Sequence, residues 1–115
     1  MRKSYRNKKH KGSSEFIKII KLAIYEGADS VTIEYDDEGL EVCNWIGTFG
    51  IGEILVDRDV EQNLIQYIVD TAKLENKTKG RIFIEIDGIE YIIDVEEYHN
   101  FGESAFKLLI KNAIK

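Results

Sequence analysis

The stretch Glu26–Ile46, EGADSVTIEYDDEGLEVCNWI, constrains the fold of this chain more than any other. Two runs within it, Ser30–Tyr35 and Leu40–Ile46, alternate in polarity and are joined by Asp36-Asp37-Glu38-Gly39. A period of two predicts strands with one face buried, and an acidic corner ending in Gly between such runs signals a hairpin. One face carries Val31, Ile33, Tyr35, Leu40, Val42 and Asn44; Thr32, Glu34, Glu41, Cys43 and Trp45 fall on the other. Gly27, just ahead of the first run, is the residue type that ends a helix in the left-handed conformation.

The helix that Gly27 ends is predicted over Ser13–Glu26. Phe16, Ile19, Ile20, Ala23 and Ile24 share one of its faces, Ser13 or Ser14 caps it, and Glu15 suits its first turn. After the hairpin, Gly47–Gly50 turns the chain into a third strand, Ile51–Val56. A second helix opens in the segment Asp57–Leu64, with Asp59 and Gln62 as a capping-box variant. It buries Val60, Leu64, Ile65, Ile68 and Ala72 and ends near Glu75. Asp87-Gly88 then joins two further strands, Arg81–Ile86 and Ile89–Glu96. Tyr98–Gly102 forms a corner. The apolar residues of Glu103–Lys115 fit either a helix or a buried strand. With a strand at Glu103–Ile110, the order is α-β-β-β-α-β-β-β, an α+β fold with about six antiparallel strands and two main helices.

Charge is divided unevenly. Residues 1–12 hold Arg2, Lys3, Arg6, Lys8, Lys9 and Lys11 with no acid, whereas residues 13–115 hold 10 basic and 21 acidic side chains. A polar, basic segment without apolar periodicity does not bury enough surface to offset its ordering entropy, so residues 1–12 read as a disordered tail ahead of a single domain, 13–115. The tail is a solubilising leader or a weak electrostatic arm; the acidic domain should repel nucleic acid and anionic membrane. No apolar run approaches the ~20 residues that cross a bilayer, so no membrane insertion is expected. A single cysteine, Cys43, allows no internal disulfide and fits a cytoplasmic location.

From about Phe16 to Ile110 the chain resembles the N-terminal, PAS-like domain of the type II secretion and type IV pilus assembly ATPases. Gly27-Ala28-Asp29-Ser30-Val31-Thr32-Ile33-Glu34-Tyr35 matches the family's Gly-Ala-Ser-Asp-Ile-His-Ile-Glu-Pro signature, with Ser and Asp inverted and His and Pro replaced. Gly39, Leu40, Val42 and Ile46 keep the frame of its Gly-Leu-Arg-Val-Arg-x-Arg strand, where Glu41, Cys43 and Trp45 replace the arginines. Ala72, Leu74, Gly80 and Arg81-Ile82 are similar to its helix end and Gly-Arg-Ile strand. Phe101-Gly102-Glu103 with Phe106–Leu109 is similar to its closing Gly-Glu-x-x-x-x-Arg-Leu-Leu. The resemblance implies a PAS-like sheet with a strand at Glu103–Ile110. It implies no ATPase activity, because the phosphate loop belongs to the domain that follows in that family and the chain contains no G-x-x-x-x-G-K-[ST].

No residue pattern calls for catalysis, a cofactor or a metal. Cys43 has no histidine near it in sequence, Asp36-Asp37-Glu38 lacks a calcium-loop spacing, and His99 beside Glu96-Glu97 is a weak acid–base signal. Trp45 either covers a second core or anchors a partner. With Glu34, Glu41 and Phe101 it makes up the candidate partner-binding set. The expected function is a non-catalytic protein-interaction module in a secretion or pilus-type assembly, through a protein partner or self-association. The alternative is a PAS-like sensor holding a small ligand between sheet and helices.

Overall fold

A computed structural model describes residues 2–113, with backbone alone for residues 2–11. The elements are α1 (Arg2–Tyr25), β1 (Ser30–Tyr35), β2 (Leu40–Ile46), β3 (Phe49–Leu55), α2 (Arg58–Ala72), β4 (Lys79–Ile86), β5 (Ile89–Asn100) and β6 (Glu103–Asn112). This is the expected order, and the last segment is a strand. The six strands form one antiparallel sheet ordered β3-β2-β1-β6-β5-β4. Each half of the chain is a helix followed by a three-strand meander, and pairing of β1 with β6 joins the halves.

Both helices contribute to one core on a single face of the sheet. Phe16, Ile19, Ile20 and Ala23 of α1 and Leu64, Ile68 and Ala72 of α2 bury themselves with Val31, Ile33, Leu40, Val42, Ile82, Ile93, Val95, Phe106 and Leu108. The strand residues are the in-phase half of each alternating run, as a sheet covered on one side requires. Where the helices approach each other, Phe16 meets Tyr67 with ring centroids 5.2 Å apart. Glycine permits two close approaches: a Cβ on Gly12 would collide with the backbone carbonyl of Asn63, and one on Gly80 with that of Ala72.

Several expected boundaries shift for identifiable reasons. Helix α1 starts at Arg2 rather than Ser13, so the backbone of residues 2–12 is helical where a disordered tail is expected. Gly12 there is a contact point with α2, not a break. The side chains of residues 1–11 lie outside the described ones, and with them the electrostatic-arm reading. The cap of α2 is Asp57, not Asp59: its Oδ1 accepts from the amides of Asp59 (2.9 Å) and Val60 (3.3 Å). That helix ends at Ala72, with Lys73 left-handed at φ 59°. Strand β3 starts at Phe49, because only Gly47-Thr48 is needed to turn the chain. Strand β5 runs on through Tyr98 and His99 to Asn100, and the corner tightens to Phe101-Gly102, both at positive φ.

Candidate functional site

The other face of the sheet has no helix over it, and its side chains lie in rows set by strand register. One row crosses all six strands as Gly50, Trp45, Ser30, Leu109, Asp94 and Arg81. The next reads Gly52, Cys43, Thr32, Lys107, Glu96 and Lys79. Trp45 therefore covers no second core beneath a helix. Its indole lies on this open face, half-buried against its own sheet, and its Nε1 donates to Thr32 Oγ1 at 2.9 Å. Gly50 makes room for the ring, since a Cβ there would stand 2.9 Å from Trp45 Cζ3 and 2.8 Å from Cys43 Sγ.

Toward the other end of the face, Glu34 and Glu41 stand directly opposite each other on β1 and β2. Like charges so placed destabilise a sheet. Here the two carboxylates diverge. Glu34 Oε2 accepts a 2.5 Å hydrogen bond from Tyr98 Oη, and Glu41 reaches over Gly52, where a Cβ would lie 2.7 Å from its Oε2. Tyr98 pairs with Ala105, a small, fully buried residue of β6, the strand that separates it from Glu34. Burial first, and then the Glu34 carboxylate, push the Tyr98 phenol well above its ordinary pKa, so it remains a donor. Burial and the nearby Glu41 and Glu34 charges likewise raise the Cys43 thiol, which favours the unreactive protonated form.

Phe101 stands 96% exposed in the β5–β6 turn. It shares an open cavity of about 650 Å³ with Glu34, Glu41, Glu103 and the acidic turn. The structure thus brings Glu34, Glu41 and Phe101 to one corner, while Trp45 sits four residues further along β2. Asp36 in the turn is already engaged, accepting from the amides of Glu38 (2.8 Å) and Gly39 (3.2 Å). The pleat divides Glu96 from Glu97: Glu96 lies in the open-face row, whereas Glu97 accepts from Ser104 Oγ at 2.8 Å. Among the described residues no group of three or more His, Cys, Asp or Glu could hold a metal ion.

Sequence reasoning missed the opposite corner. There, Lys77, Lys79, Arg81 and Lys107 line a cleft of about 570 Å³ together with Asp94 and Glu96. Asp94 pairs with Arg81 Nε and Lys111 Nζ, each at 2.8 Å, and these cations, Lys111 foremost, hold its carboxyl below the usual range. The alternation of β4 and β6 would have placed these cations on one face, but only the sheet order makes β4, β5 and β6 neighbours.

No known protein family and no curated protein matches this chain. The open face is thus described by its own chemistry: an indole platform, an acidic corner and a basic cleft on one antiparallel sheet. Among the described residues no helix is long and apolar enough to cross a membrane.

Proposed function

We propose that the chain is a non-catalytic protein-docking module and that the uncovered face of its sheet receives the partner. The observation that carries this reading is Trp45, an indole set in register on a face no helix covers and lying against Gly50 of β3. Tryptophan concentrates large contact area in few rotatable bonds, which is why it anchors interfaces. The Glu34–Glu41 juxtaposition supports the same reading, because a local cost retained on a surface is expected where function requires it. The α-β-β-β-α-β-β-β order is the one implied by the resemblance to secretion and pilus ATPase N-domains, so the proposed setting is an assembly of that kind. Arginines that would face a nucleotide are replaced by Glu41, Cys43 and Trp45, which favours contact over turnover.

The small-ligand alternative receives less support. On the helix side of the sheet, a groove between α1 and β2–β3 measures about 220 Å³, below the ~300 Å³ at which ligand pockets begin.

Site-specific photo-crosslinking in the native host tests the docking reading. A photoreactive residue at position 45 or 83, on the open face, should trap a protein. One at Gln66, exposed on α2, should not. Equal trapping from both sides, or trapping from Gln66 alone, would refute the assignment.

A further inference from the structure

We infer that the partner of the open face is a second copy of this chain, packed face to face about a two-fold axis that lays each acidic corner on the other's basic cleft. This rests on the docking reading above and names its partner.

Charge segregation is the first argument. Residues 13–115 are strongly acidic, yet five of their ten cations gather in one place: Lys77, Lys79, Arg81 and Lys107 in the cleft, and Lys111 on Asp94 beside it. Six carboxylates collect at the far corner: Glu34, Asp36, Asp37, Glu38, Glu41 and Glu103. A single-sign partner such as nucleic acid or an anionic membrane would satisfy one corner and be repelled by the other. A copy turned over by a two-fold axis meets both with the opposite sign. That is the self-complementarity an isologous contact requires.

Size is the second argument. Six strands spaced about 4.8 Å apart, of 6 to 12 residues rising about 3.3 Å each, make a face of roughly 29 by 25 Å. This is on the order of the ~800 Å² that each partner gives to a standard interface. Apolar contact on the same face is supplied by Trp45, Leu109 and the 70%-exposed Phe83.

Sedimentation velocity on the full chain, at about 50 mM and about 500 mM salt, tests the pairing. The chain should dimerise at tens of micromolar and dissociate about tenfold more readily at the higher salt. The pair Lys79→Glu with Lys107→Glu should abolish self-association, and so should Asp37→Lys with Glu41→Lys. Mixing the two variants should restore a mixed dimer. A monomer at both salts, or dimers indifferent to either reversal, would overturn the inference. Should a reversed chain fail to fold by circular dichroism, Lys79→Gln with Lys107→Gln makes the same distinction. A monomer that still traps a foreign protein from position 45 removes the second copy alone. A dimer that crosslinks only through Gln66 removes the docking face as well.

Discussion

At the scale of single residues, the open face depends on two short-range arrangements. The Tyr98–Glu34 hydrogen bond joins a part-buried phenol to a carboxylate, and bonds of that kind contribute about 1.5–3 kcal/mol. Tyr98→Phe should therefore lower stability at neutral pH by about that much, measured by urea unfolding. The pH dependence has a definite sign. The folded pKa lies above the unfolded value of about 10, so the contribution is complete below that pH and declines as pH rises past it. The wild type should lose stability more steeply than Tyr98→Phe above about pH 10, with a residual slope from Tyr35, whose pKa burial and Glu61 also raise. At the other end of the face, Gly50→Ala would drive a methyl into the indole and the Cys43 sulfur. The emission of the chain's only tryptophan should then shift to the red; an unchanged spectrum would mean the ring does not rest on Gly50. Trp45's face was legible in the sequence because alternation alone separates it from Leu40 and Val42. Tyr98 was not, because a Tyr-His-Asn-Phe-Gly run reads as a turn until its partner strand is known.

At the scale of elements, the strands were more legible than the helix ends. Most strand runs declare themselves by their period, and the turns at Gly39 and Gly88 follow from residue type. Helix boundaries depend on what the helix packs against. Gly12 is the instructive case: Gly in a helix usually costs about 1 kcal/mol relative to Ala, so Ala there should stabilise an isolated helix. In this fold the added methyl meets the Asn63 carbonyl, with Asn63 C 3.0 Å and Tyr67 Cβ 3.1 Å away. Gly12→Ala should destabilise by about 1–3 kcal/mol, reversing the sign expected from propensity. A higher melting temperature would show that the helices do not meet there. The cap of α2 gives a second measurement. Asp57 satisfies two orphan amides, so Asp57→Ala should cost about 1 kcal/mol, while Asp59→Ala should cost little.

At the scale of the whole molecule, chain order and sheet order diverge in one decisive place. The last strand, β6, lies between β1 and β5, so the residues furthest along the chain close the sheet over the earliest strand. Nothing in the sequence of Glu103–Asn112 announces this position, since apolar content alone leaves helix and strand equally open. Phe106 and Leu108 are fully buried from β6, opposite Ile33 and Val31, and the remaining core residues pack around that seam. Two consequences follow for stability. Removing the side chain at Phe106 leaves a large void at the junction of the halves, so Phe106→Ala should cost about 3–5 kcal/mol, a large part of a domain's total. Removing residues 103–115 should go further. Each half would then be a helix on a hairpin or short meander with half of its apolar face exposed, which is marginal in water. The truncated chain should show no cooperative urea transition and no protected amides in β1. If it still unfolded in one sharp step, the halves would be independent folding units and β6 an accessory to them. Because the β1–β6 pairing joins residues so distant in sequence, its loop-closure entropy is met late, and amide protection in β1 should develop after that of the local β4–β5 hairpin during refolding.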